Sequence, residues 1–64
     1  MTTAASPLTT PALEAVYDDL ATAIDALPPE KTELFLVKLA LLNANALGHA
    51  ELFREHLRIA AADL

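Results

Sequence analysis

Cysteine is absent from this 64-residue chain, so disulfides and thiolate metal sites are excluded, and nothing indicates an oxidising compartment. There is one glycine, Gly48, and therefore no glycine-rich loop to cradle a phosphate. Only one serine occurs, Ser6, in the irregular N-terminal stretch, and no serine heads a helix as a prosthetic-group carrier would require. With neither thiol nor placed hydroxyl, nucleophilic catalysis lacks its parts. Bases are scarce too: four Lys and Arg against nine Asp and Glu give a net charge of −5. Those few bases are scattered, which argues against nucleic acid as a partner.

Long uninterrupted apolar runs are also missing. The richest, Leu34 to Leu47, is broken by Lys38, Asn43 and Asn45. A spanning helix needs about 20 predominantly apolar residues, so a membrane partner is not expected. The opening "MTTAASPLTT" has neither the positive nor the apolar region of a secretory signal. A cytoplasmic location is the expectation.

What the chain has in quantity is Ala and Leu. Hydrophobic residues make up 55% and aromatics only 5%, the composition of packed helices rather than strands. Residues 1–9 lack periodicity and read as a flexible N-terminal arm. Residues 10–64 read as a single helical domain, with helices at about 11–27, 29–47 and 50–62. The fold class expected is all-α: two to three helices in a hairpin or small-bundle arrangement around a Leu-rich central helix.

Each helix carries its own signals. Thr10 suits the N-cap of the first and Pro11 its first position, while Pro28 and Pro29 should stop it near Leu27. Leu13, Val16, Tyr17, Leu20, Ile24 and Leu27 form one stripe at helical spacing, with Glu14, Asp18 and Asp25 on the far side. The second helix should start at Pro29 and stop where Gly48 takes a left-handed conformation. It is apolar nearly all round. Phe35, Leu39, Leu42 and Ala46 line one side, Leu34, Val37, Leu41 and Ala44 a second, and Leu36, Ala40 and Leu47 fall between. A polar line runs through Lys31, Lys38 and Asn45. The third helix places Leu52, Phe53, His56, Leu57 and Ala60 on one face. Its opposite face carries Glu51, Arg54, Glu55 and Arg58, a solvated surface with weak ion pairs.

Candidate chemistry is thin. His49 and His56 are seven residues apart, whereas zinc-binding pairs on one helix sit four apart. They read as an interhelix histidine and a histidine at the edge of a core or interface, with no metal expected. Asp18 and Asp19 diverge by about 100° on a helix and cannot share a proton. Together with Glu14 and Asp25 they read as a wet face, or as an acidic docking surface. A hairpin across Pro28-Pro29 would let the Glu14/Asp18/Asp25 line and the Lys31/Lys38 line flank one seam. Asn43 and Asn45 either face water or fix the register of a helix contact. The sequence thus points away from an enzyme, and no cofactor is expected.

The surplus of apolar surface points to association. A chain this short buries only about 60% of the surface its unfolded form exposes. Two flanking helices cannot cover the whole circumference of the central one. Leaving three or four Leu or Val side chains open would forgo about 1.5–3 kcal/mol each and leave a sticky patch. The expectation is a homodimer or higher oligomer, with Leu34, Val37, Leu41 and Ala44 as the interface. Leu13, Val16, Tyr17, Leu20, Ile24, Phe35, Leu39, Leu42, Phe53 and Leu57 then supply the core. The leading functional reading is a small non-catalytic interaction or accessory protein. The alternatives are a docking subunit of a larger enzyme and a binder of a small apolar ligand between helices.

The stretch "PPEKTELFLVKLALLNANALGHAE", with "VYDDLATAID" before it, resembles a group of short uncharacterised bacterial helical proteins classed as a domain of unknown function. The likeness runs from about Leu13 to Leu57. It consists of a short helix, a Pro-Glu-Lys turn and a Leu-rich central helix ending near Asn and Gly. Such proteins are associated with catabolic operons that also encode flavin-dependent oxygenases. The resemblance implies that class of larger partner and no site residues.

Overall fold

The structure, a computed structural model, describes residues 7–64. Its regular elements are all helical: α1 (Thr10–Asp25), a single 3₁₀ turn (Pro29–Lys31), α2 (Thr32–Leu47) and α3 (Ala50–Ala61). The protein is all-α, with no strand among the described residues. Of the expected arm at 1–9, residues 1–6 lie outside the described residues. Pro7 to Thr9 are non-helical, and Thr9 belongs functionally to α1 as its cap.

Capping explains where α1 begins. Thr9, at φ −64° and ψ 160°, accepts the Ala12 N–H on its hydroxyl at 3.2 Å, and its carbonyl accepts the Leu13 N–H at 2.9 Å. The cap is therefore one residue earlier than Thr10, and Pro11 falls one position further in. Pro11 is tolerated there because the first turn's N–H groups have no intrahelical acceptor anyway.

The end of α1 follows from missing donors. In a continued helix the carbonyls of Ile24 and Asp25 would accept from residues 28 and 29, and both are prolines. The Leu27 N–H turns instead to the Ile24 carbonyl at 3.1 Å, tightening the last turn, and regular helix stops at Asp25 rather than Leu27. On the other side of the prolines, Pro29–Lys31 form a 3₁₀ turn in place of the expected first turn of α2. Lys31 sits at the N-cap without a side-chain cap, and Glu33 supplies the negative charge that suits the first turn.

The chain divides at this point. There are two compact units, one ending at Glu30 and one spanning Lys31–Leu64. The first contains α1; the second contains α2 and α3. Within the second unit Gly48 stops α2 at φ 69° and ψ 25°, donating to the Ala44 carbonyl at 3.0 Å. The left-handed geometry is what glycine adopts without a Cβ penalty. His49 then returns to extended backbone, φ −147° and ψ 96°, and α3 begins at once. After Ala61, Ala62 bonds back to the Ile59 carbonyl at 3.2 Å and Asp63 takes φ 60°.

No described residue is fully buried within the single chain. Of the ten positions expected to form a core, Leu20, Ile24, Phe35, Leu39 and Phe53 are half-buried. Leu13, Val16, Tyr17, Leu42 and Leu57 are exposed. In α1 the gradient is orderly: the stripe is exposed at Leu13, Val16 and Tyr17 and half-buried from Leu20 through Ile24 to Leu27.

Candidate interaction surface

The charges separate by unit. Residues 1–30 contain five acids (Glu14, Asp18, Asp19, Asp25 and Glu30) and no Lys or Arg. Residues 31–64 contain four acids (Glu33, Glu51, Glu55 and Asp63) and four bases (Lys31, Lys38, Arg54 and Arg58). The whole formal charge of −5 therefore belongs to the first unit, and the second is neutral (4 − 4). Two first units brought face to face would repel; two second units have no net charge to oppose them.

The second unit is also where apolar surface is in excess. Along α2 the expected interface line reads Leu34 (56% exposed), Val37 (49%), Leu41 (62%) and Ala44, which is half-buried. Spacings of three, four and three put these on one side of the helix. The line expected to face inward is uneven: Phe35 and Leu39 are half-buried, but Leu42 is 68% exposed. The polar line through Lys31, Lys38 and Asn45 runs between the two. The ion pairs within residues 31–64 are Glu51–Arg54 and Glu55–Arg58, both on α3.

The joint between α2 and α3 shapes this surface into a groove of about 630 Å³. Leu41, Ala44 and Asn45 form the α2 wall, Phe53, Arg54 and Leu57 the α3 wall, and Gly48 and His49 the floor. Its C-terminal α2 wall is thus the second half of the Leu34–Ala44 line. The sequence identified the line without identifying the groove, because the direction of α3 depends on the backbone at Gly48 and His49.

His49 has a specific structural role. Its Nδ1 accepts the Leu52 N–H at 3.0 Å, and its carbonyl accepts the Phe53 N–H at 3.0 Å, so the imidazole is the N-cap of α3. Acceptance uses the lone pair on Nδ1. The sequence did not reveal this, since side-chain oxygens dominate N-cap statistics. His56, two turns on, is exposed. No group of three or more His, Cys, Asp or Glu side chains placed to hold a metal ion occurs among the described residues.

The outer face of α3 carries its two ion pairs. Arg54 lies 3.5 Å from Glu51, and Arg58 holds Glu55 through two hydrogen bonds, one from Nε at 3.2 Å. The fork from Arg58 lowers the Glu55 carboxyl below its ordinary value, against a small opposing effect of desolvation, with the nearby His56 assisting; Arg58 is raised in return. Both side chains are exposed, so they organise the wet face rather than hold the fold.

No described helix is long and apolar enough to cross a membrane. No family model, no curated protein and no solved structure matches the chain.

Proposed function

We propose that this protein is a small non-catalytic, cytoplasmic interaction or accessory protein that self-associates through α2. One observation carries the reading: the Leu34, Val37 and Leu41 side chains remain about half or more exposed on a helix that is apolar around most of its circumference. Covering each is worth about 1.5–3 kcal/mol, and a soluble chain gains it most simply from a second copy of the same surface. The neutrality of residues 31–64 supports the same choice, because the surface with most to gain from association has no net charge to oppose it. Sedimentation at low micromolar concentration tests it. A dimer or higher oligomer is expected; a folded, stable monomer overturns it.

A second reading has its own support. The groove volume of about 630 Å³ falls within the range of small-molecule sites, about 300–1,000 Å³, and its walls are mainly apolar. Its polar groups are largely engaged, His49 Nδ1 by Leu52 and Arg54 by Glu51, so a ligand would be held chiefly by apolar contact. A rise in melting temperature with apolar ligands, abolished by Phe53→Ala at unchanged helicity, would favour this reading. As a docking subunit of a larger enzyme the chain would use the same α2 line, and a hetero-partner would then displace self-association.

A further inference from the structure

Resting on the self-association reading, we infer that two copies pair antiparallel along α2, each placing Leu34 and Val37 in the α2–α3 groove of the other. The observation is an asymmetry along one line of side chains. The C-terminal half, Leu41 and Ala44, already has a facing wall in Phe53 and Leu57. The N-terminal half, Leu34 and Val37, lies outside that groove, and both side chains are exposed, as Leu41 is. Groove and uncovered ridge are therefore successive parts of the same stripe.

A two-fold axis crossing the stripe at its midpoint, near Leu39, makes these parts complementary. Positions then pair so that their numbers sum to 78 (34 + 44, 37 + 41). Leu34 of one copy meets Ala44 of the second, and Val37 meets Leu41, twice over by symmetry. Each ridge enters the place where α2 and α3 diverge, so Phe53 and Leu57 cover it from the other side. One self-complementary contact covers both uncovered ridges and fills both grooves.

Electrostatics favours the opposite orientation, but weakly. Taking Leu34 and Leu41 as a positions and Val37 and Ala44 as d positions, Glu33 is g and Lys38 is e, five residues on. A parallel pair would align these as cross-chain ion pairs, whereas the antiparallel pair brings Lys38 near Lys38. All these groups are solvent-exposed, and such pairs contribute less than the burial of one Leu side chain. Parallel pairing would bring both α2–α3 joints to the same end and leave Leu34 and Val37, at the other end of the stripe, with no groove to enter. Packing decides the orientation.

The absence of native cysteine makes the test direct. Val37→Cys and Leu41→Cys chains, each checked for wild-type helicity and association, are mixed and oxidised mildly. The inference expects the mixed disulfide to exceed either homodisulfide by about tenfold, as close approach favours ring closure over random encounter. Predominance of the 37–37 or 41–41 homodisulfide, or no mixed product from a sedimenting dimer, overturns the antiparallel orientation while leaving self-association intact. A folded wild-type monomer in sedimentation overturns both. Should either substitution disturb folding, a nitroxide on the exposed helix start through Glu33→Cys serves instead. In the antiparallel pair the two labels lie about 18 Å apart along the axis, 12 residues at about 1.5 Å each. In a parallel pair they are separated only by the interaxial spacing of about 8–10 Å, and that shorter distance overturns the inference.

Discussion

α1 and α2 are both 16 residues long and both bounded by proline or glycine, yet they present opposite surfaces. α1 concentrates its large apolar residues in one stripe and carries four acids, Glu14, Asp18, Asp19 and Asp25, without a base. α2 spreads its apolar residues around the axis and balances Glu33 with Lys38. Amphipathic pattern and charge thus vary together. The helix with one apolar face carries the acid, and the helix with several has almost no charge left to limit contact. Under the proposed self-association, the acid and the contact surface lie on different helices of a very short chain.

The largest expected effect breaks this contrast at α2. Leu41→Asp removes an apolar side chain from the α2 line and places a carboxylate there. It should weaken self-association about 100-fold or more, from lost burial together with charge desolvation, read as a shift of the sedimentation isotherm and an accompanying loss of helical circular dichroism. Leu13→Asp on the exposed part of the α1 stripe should leave the isotherm within about threefold, since that surface is outside the proposed interface. Equal effects at the two positions would erase the distinction between the helices.

The next largest concerns how the helices are stopped. A Cβ built on Gly48 meets nothing within 4 Å, so Gly48→Ala carries no steric clash, only the left-handed backbone at φ 69°. The cost should be about 1 kcal/mol, visible in chemical denaturation. A markedly larger loss would mean that α2 and α3 are coupled more tightly than their joint suggests.

The caps come third, and they distinguish the two units. Thr9→Ala should destabilise α1 by about 1 kcal/mol and speed exchange of the Ala12 amide, which the Thr9 hydroxyl holds. His49→Ala should do the same for the Leu52 amide in α3. His49→Asn, which supplies a side-chain oxygen, should restore protection. Failure of Asn to restore it would show that the ring contributes by packing instead.

The smallest effect is a pH dependence on α3. Hydrogen bonding from Arg58 lowers the folded-state value of Glu55. Its contribution is therefore present above the ordinary carboxylate range and is lost as pH falls through the lowered folded value. Fraying of α3 on acidification should be less pronounced in Glu55→Gln, which has no such charge to lose. Amide exchange across Ala50–Ala61 as a function of pH provides the measurement.

Much of the fold was legible because the decisive residues act locally. Pro28 and Pro29 lack the N–H groups that α1 would need to continue, and Gly48 is the residue best suited to stop α2, so both helix ends were visible within two residues. The start of α1 was displaced by one because Thr9 and Thr10 have the same capping hydroxyl. Which of them caps is settled by backbone geometry, not residue type. The 3₁₀ turn at Pro29–Lys31 was hidden for a related reason: Pro29 suits the first turn of either helix type. At the candidate site, periodicity found the Leu34–Ala44 line, but not that its second half faces Phe53 and Leu57. That knowledge requires the path of the chain through Gly48 and His49, and no pattern of apolar spacing encodes it.

The separation of charge described above has a practical consequence. An anion exchanger grips this protein through residues 14–30, because the remainder has no net charge with which to bind. Retention therefore reports on one segment, while the proposed oligomerisation would be decided by another. A charge-neutral change on α2 that abolishes association halves the number of acidic segments per particle, from two to one. Elution should then move to lower salt although the charge of each chain is unaltered, which makes an ordinary purification column a first reading of the quaternary state.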